Sequence, residues 1–252
     1  MPLMSRHIQG TLLTALGVLI LTPDGLLVRL ISADTWTVLF WRGLLMAIGI
    51  FGFYALRYRT GAIGRLKATG FRGLQASVLF TISTICFIQS LHNTSVANTL
   101  VILATTPLIA ALISRVFLKE RVDTSTWIAI LVGCGGIAYI FKGSLTSDHL
   151  MGDFFALGAA LAMASQITTI RFAQNIDMVP TLGLSGLMVA IVGFVMAGSV
   201  SVSTPDLLYL TLLGLVVLPL AFGLIAVGPR YIPAAEVSLM MLLETFLGPV
   251  WV

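Results

Sequence analysis

Charged residues are scarce in this sequence, and long polar stretches are missing. Asp, Glu, Lys and Arg together make up only 10% of the 252 residues, whereas hydrophobic residues make up 58%. A soluble domain needs a charged and polar surface around its core. The composition therefore excludes an ordinary soluble protein and indicates that lipid surrounds most of the chain. The few polar residues within the apolar segments become the candidates for function.

Cysteine and histidine are also rare, which excludes several kinds of site. Cys86 and Cys134 both fall inside apolar segments, so the sequence indicates no disulfide framework. It contains no HExxH motif, no P-loop and no Cys/His cluster, and we expect neither a metal site nor another cofactor. Nucleic acid is not an expected partner, because the basic residues behind the net charge of +4 cluster in short loops.

The apolar segments have the length of transmembrane helices and lack the alternating pattern of barrel strands. We predict an all-α polytopic membrane protein with helices at residues 10–31, 36–56, 73–91, 95–118, 124–142, 153–173, 180–200 and 206–227, and a ninth that begins near Pro233. The chain stops at Val252 within an apolar run. We therefore expect the full protein to continue through a tenth helix.

The distribution of Lys and Arg predicts the orientation in the membrane. All but three of the 14 basic residues fall on the side where the first helix begins, and the exceptions are Arg29, Arg42 and Lys142. Cytoplasmic loops of membrane proteins carry an excess of Lys and Arg. The pattern therefore predicts a cytoplasmic N-terminus for a multi-pass protein of the cell inner membrane.

A weak internal repeat relates the two halves of the chain. The stretch Gly10–Leu16 is similar in pattern to Gly152–Gly158, and the same alignment places Arg29 on Arg171. A repeat of five helices is odd-numbered, so the second repeat must cross the membrane in the opposite sense to the first. That arrangement is typical of secondary transporters, whose substrate site lies between the repeats.

The repeat predicts two domains of five helices each, ten in the full protein and about nine here. The first comprises residues 1–145, and the second comprises residues 146–252 and is truncated before its last helix. We predict that the two form inverted repeats.

The middle of the predicted first helix is interrupted by Pro23, Asp24 and Gly25. Proline frees a backbone carbonyl, and glycine allows close approach of a neighbour. An aspartate in lipid must face a cavity or a partner. Two hypotheses remain open: a site for a substrate amine or a proton, or a buried ion pair with Arg29 or Arg42.

Two other charged residues lie within predicted helices. Arg42 either extends toward the outer headgroups or binds an anionic group such as a carboxylate. Glu244 lies deep in the ninth helix, where a carboxylate is protonated, paired or functional, and we expect a functional or gating role. Glu236 lies nearer the start of that helix, where the helix dipole favours an exposed carboxylate.

Uncharged polar residues and prolines complete the candidates. Asn98, one turn into the fourth helix, is a candidate to face the cavity, and Gln166, in the sixth, either joins helices or contacts a substrate. Pro107 and Pro249, like Pro23, are candidates for helix kinks or gating positions.

Four stretches occur in a specific order and spacing. They are VLFWR at 38–42, ANTLVILATTP at 97–107 followed by LKER at 118–121, YIPAAE at 231–236 and LLETFLGP at 242–249. In this order they resemble the drug/metabolite transporter (DMT) superfamily, in particular the EamA-type permeases built from two repeats of five helices. That family's ninth helix usually carries a Glu-Pro pair, whereas here Thr245 follows Glu244 and the proline is Pro249.

The resemblance implies secondary transport of small metabolites, often export of amino acids or related compounds from bacteria, with protons as a common coupling ion. We therefore predict a permease in the lipid bilayer that works by alternating access on a small-molecule substrate. The predicted site residues are Asp24, Arg42, Asn98, Gln166 and Glu244. The alternatives are a multidrug exporter of lipophilic cations in the same superfamily and, in a different class, a polytopic membrane enzyme.

Overall fold

The structure is a computed structural model that describes residues 6–120, 122–142 and 150–247. Nine apolar helices and no β-strand occur among these residues, which confirms the all-α polytopic fold. The helices are α1 Arg6–Leu30, α2 Thr35–Tyr58, α3 Gly70–Asn93, α4 Val96–Leu118, α5 Thr124–Phe141, α6 Leu150–Phe172, α7 Pro180–Met196, α8 Thr204–Arg230 and α9 Ala234–Leu247. A short helix, Ala62–Ala68, connects α2 to α3.

Six of these helices, α1, α2, α3, α4, α6 and α8, are long and apolar enough to cross a membrane. Their outward surfaces remain apolar, as shown by the exposure of Leu12 (55%), Phe53 (59%) and Leu208 (69%). A soluble protein does not expose so many large apolar side chains, because they gain no stability in water. These surfaces fit contact with lipid acyl chains.

The helices follow the predicted segments closely, with one clear difference at α7. The prediction extended this helix to residue 200, but α7 ends at Met196. The following residues are held against α2: the carbonyl of Ser199 accepts a hydrogen bond from Thr37 Oγ1, and that of Val200 accepts one from Trp41 Nε1. Hydropathy alone could not detect these tertiary contacts.

Successive helices run in opposite directions, so the bundle has two ends. We call the end at which α1 begins the N face and the end at which α1 finishes the distal face. Helix α2 packs along α7, α3 packs along α6, and α1 packs along α8. Helix α4 also contacts α6, and α9 also contacts α1. The second half of the chain is therefore interleaved with the first.

Helices α2 and α7 approach each other closely at two glycines. A Cβ atom placed on Gly43 would lie 2.5 Å from the carbonyl oxygen of Gly186, and one placed on Gly186 would lie 2.7 Å from that of Gly43. Only glycine fits at both positions, so the two backbones are in direct contact.

Two helices are interrupted within the bundle. Helix α1 has a turn at Thr22 and Pro23, and α4 has a turn at Ala104 and Thr105, shortly before Pro107. Both turns interrupt the regular ladder of backbone hydrogen bonds. The remaining proline candidate, at position 249, lies outside the described residues.

Candidate functional site: a central cavity with a buried ion pair

A cavity of about 740 Å³ lies between helices from both halves of the chain. Helices α1, α2, α3, α4, α6, α7, α8 and α9 contribute to its lining. Most of the lining is apolar, and its aromatic side chains are Phe80, Phe87 and Phe222. Concave, mainly apolar cavities with a few polar groups are typical of small-molecule sites.

Asp24 and Arg42 form a buried ion pair in the cavity wall. Arg42 Nη1 donates to Asp24 Oδ1 at 2.5 Å, and Nη2 donates to Oδ2 at 3.2 Å. Each residue is only 6% exposed. The turn at Pro23 places Asp24 in the first turn of the second segment of α1, where a negative charge is favoured by the helix dipole. Of the two arginines considered as partners for Asp24, the structure selects Arg42.

Glu244 on α9 lines the same cavity. Its carboxylate lies within electrostatic reach of both Asp24 and Arg42. Among the described residues it has no hydrogen-bond or ion-pair partner, whereas the carboxylate of Asp24 is engaged at both oxygens. Of the two carboxylates that line the cavity, Glu244 is the one without a partner among the described residues.

The other two predicted site residues are not among those that line this cavity. Asn98 is 4% exposed at the start of α4, where its Nδ2 donates to Asp153 Oδ1 on α6 at 3.1 Å. Gln166, also 4% exposed, lines a small adjoining pocket that shares Phe80 and Met241 with the cavity. The structure thus brings Asp24, Arg42 and Glu244 together around one cavity.

Sequence reasoning missed the aromatic lining of the cavity. Phe80 and Phe87 lie two turns apart on α3, so they project from one face of that helix. This seven-residue spacing was the only feature of the sequence that could have indicated a shared aromatic face. It was not distinctive, because most apolar residues in such a helix face lipid or a neighbouring helix.

Ion pairs and hydrogen bonds close the bundle at the N face. Arg171 at the end of α6 donates to Glu120 Oε1 at 2.6 Å and to the carbonyl of Pro229 at 2.9 Å. Glu236, considered above as an exposed helix-start carboxylate, pairs with His7 at 2.9 Å. These contacts join the ends of α4, α6 and α8, and the starts of α1 and α9.

Comparison with known proteins identifies the family of this chain. The profile of the EamA-like transporter family matches residues 8–142. A solved structure, titled only as the crystal structure of a protein, superposes with a TM-score of 0.83 at 14% identity, covering 97% of this chain and 87% of that one. This likeness shows a shared fold.

No curated protein matches the sequence. The family match nevertheless spans more than half of the chain, and members of this family are transporters and not enzymes. The family match and the apolar helices together show that this is a multi-pass membrane protein with a small-molecule substrate. The chain belongs to the EamA-like transporter family, within the drug/metabolite transporter superfamily.

Proposed function

We propose that the protein is a secondary transporter that carries small metabolites, amino acids or related compounds, across the bacterial inner membrane by alternating access. The observation that carries this proposal is the central cavity, which holds the Asp24–Arg42 pair and Glu244. Its volume of about 740 Å³ accommodates an amino acid together with water molecules. The distribution of basic residues supports a cytoplasmic N face.

Paired contacts between the two halves support an inverted repeat. A Cβ atom on Gly10 would lie within 2.5 Å of Tyr231, and one on Gly152 would lie within 2.7 Å of Asn93. The internal repeat described under Sequence analysis aligns the same two glycines, Gly10 and Gly152. These two close contacts lie at opposite faces, as expected if the repeats have opposite orientations.

A second pair of contacts repeats this relation deeper in the bundle. Ser83 Oγ donates to the carbonyl of Ala159 at 3.0 Å, and a Cβ atom on Gly17 would lie 2.8 Å from the carbonyl oxygen of Ala221. The alignment of Gly10 with Gly152 also relates Gly17 to Ala159. Equivalent packing of this kind supports the proposal of two states of similar stability, open to opposite faces.

The buried ion pair favours a zwitterionic substrate. A ligand that takes only one member of the pair leaves the other charge buried and unpaired, at a cost of about 3–5 kcal/mol. An amino acid avoids this cost, because its carboxylate replaces Asp24 at Arg42 while its ammonium group binds Asp24. The apolar and aromatic lining then accommodates the side chain of the substrate.

Glu244 is the proposed acceptor of the coupling proton. It lies in the same cavity within electrostatic reach of the ion pair and lacks a described partner. A carboxylate in this position alternates between a protonated and a substrate-bound form at modest structural cost.

A specific observation also supports a second candidate, export of lipophilic cations. A cation requires an unpaired carboxylate and apolar walls, and Glu244 and Phe87 provide these in one cavity. In this second mechanism the Asp24–Arg42 pair remains intact and has a structural role.

Uptake of three matched compounds into proteoliposomes distinguishes the candidates. Phenylalanine, 2-phenylethylamine and 3-phenylpropanoate share a phenyl group and carry a zwitterionic, a cationic and an anionic head, respectively. We expect phenylalanine to be transported fastest and the anion slowest. Fastest transport of the amine would support the cation exporter, and equal leakage of all three with and without protein would contradict both candidates.

A further inference from the structure

Arg171 connects three helix ends at the N face of the bundle. Its Nε donates to Glu120 and its Nη1 donates to the carbonyl of Pro229, while its side chain is only 16% exposed. Nearby, Arg230 Nε donates to the carbonyl of Gln174 at 3.2 Å. These charge-assisted bonds hold the end of α6 against the end of α8 and close the cavity on this side.

The repeat relates this N-face contact to a second pair of residues. The alignment of Gly10 with Gly152 places Arg29 on Arg171. Asn93 and Tyr231, the neighbours of Gly152 and Gly10 described above, correspond through a shift of 138 residues, and the same shift places Leu91 on Pro229. The counterpart of the bond from Arg171 to Pro229 is therefore a bond from Arg29 to the carbonyl of Leu91, at the distal face.

The structure does not contain this counterpart. Arg29 is exposed and has no hydrogen bond or ion pair with any residue that the structure describes. Arg29 and Leu91 instead both line the central cavity. The ends of α1 and α3 therefore flank the cavity at the distal face, while the equivalent ends of α6 and α8 are joined at the N face.

We propose that Arg29 and Arg171 are paired gating residues, each of which closes one face of the transporter. In the state described here Arg171 closes the N face and Arg29 is released. In the opposite state Arg29 donates to the carbonyl of Leu91 and closes the distal face, while Arg171 is released. The proposal rests on the proposed alternating access, and it assigns a function to Arg29, for which the described part of the chain provides no other partner.

The distance between the ends of α1 and α3 tests this proposal. Spin labels on cysteines at Leu30 and Asn93, both exposed, report this distance by double electron–electron resonance in a Cys86→Ser, Cys134→Ser background. We expect a major long distance and a minor short one. Arg171→Gln removes both charge-assisted hydrogen bonds and should raise the ratio of short to long by more than about tenfold, because the loss of even one such bond gives about that factor.

Three further variants make the test specific. Glu120→Gln, which leaves the bond from Arg171 to the Pro229 carbonyl in place, should shift the ratio in the same direction by a smaller factor. Arg29→Gln should remove the short distance. Lys67→Gln, which loses the same charge from an exposed site on the N-face side, should leave the distribution unchanged.

The proposal would be overturned by an unchanged distribution in Arg171→Gln, or by an increase of the short distance in Arg29→Gln. Equal effects of Lys67→Gln and Arg171→Gln would overturn it as well, because the change in the distance distribution would then result from the loss of a positive charge and not from the loss of the Arg171 contacts. The measurement uses no substrate, so failure of phenylalanine transport would contradict the proposed function and leave this result unaffected.

Discussion

At the residue scale, the Asp24–Arg42 pair links the stability of the protein to its proposed function. Both side chains are almost fully buried and bond to each other at two points. Burial of two charges is unfavourable in itself, and mutual pairing offsets the cost. A pair of this kind gains little stability over an apolar pair, and the proposed role in substrate binding accounts for its presence in a cavity wall.

Single substitutions of this pair should destabilise the protein more than the double substitution does. We expect Asp24→Asn and Arg42→Gln each to lower the free energy of unfolding by about 3–5 kcal/mol, because each leaves one buried charge unpaired. The double variant should recover most of that loss. Thermal unfolding of the three variants and the wild type in detergent measures these differences in stability. Additive losses in the double variant would show that the two residues act independently.

Substitution of Glu244 should affect coupling and leave stability nearly unchanged. Glu244→Gln removes the proposed proton acceptor but no described hydrogen bond or ion pair. We expect uptake driven by a proton gradient to fall to background, with a melting temperature close to that of the wild type. The matched control is Glu236→Gln, on the same helix but outside the cavity. Gradient-driven uptake that persists in Glu244→Gln would contradict the assigned role.

At the element scale, backbone contact between α2 and α7 fixes the centre of the bundle. Gly43 and Gly186 face each other there, and a Cβ atom on either would overlap the opposite backbone. The two helices come from different halves of the chain, so their crossing lies at the centre of the proposed repeat. This crossing has no space for rearrangement, and motion between states must take place around it.

The contact predicts a position-specific effect of alanine on α2. Gly43→Ala should destabilise the protein by about 1–3 kcal/mol, the range for overpacking in a close-packed interior. Gly52→Ala is the matched control on the same helix, because a Cβ atom there would meet nothing within 4 Å. It should be neutral or slightly stabilising. Similar melting temperatures for the two variants would contradict the close contact.

The sequence predicted the elements better than their contacts. Long apolar segments between loops with basic residues were sufficient to place nine helices, since hydropathy reflects the lipid environment of each helix separately. The partner of Asp24 could not be predicted, because Arg29 and Arg42 were both within plausible reach along the chain. Asn98 bonds to Asp153 on another helix, a choice that depends on helix rotation and packing. Neither the rotation of a helix about its axis nor the helix that it packs against can be predicted from a single sequence.

At the scale of the whole molecule, the chain combines an N face closed by charged contacts with a cavity that Arg29 flanks near the distal face. Most basic residues lie on the N-face side, which the positive-inside rule assigns to the cytoplasm. Under the proposed orientation, the distal face, where Arg29 lines the cavity, is the outer one.

The orientation can be measured by labelling single cysteines in intact cells and in inverted membrane vesicles. In the Cys86→Ser, Cys134→Ser background, Lys67→Cys should react with a membrane-impermeant maleimide only in inverted vesicles. Lys142→Cys should react only in intact cells. Both positions are exposed, so accessibility of the side chain is not limiting. The reverse pattern would place the N-terminus outside the cell.

The central claim is that a zwitterion crosses the membrane by binding between Asp24 and Arg42. Counterflow of labelled phenylalanine in proteoliposomes tests it most directly, with the wild type compared with the Asp24→Asn, Arg42→Gln double variant. The double variant keeps the net charge of the cavity and, by the stability argument above, its fold. We predict rapid counterflow in the wild type and none above background in the folded double variant. Equal counterflow in the two proteins would contradict the claim.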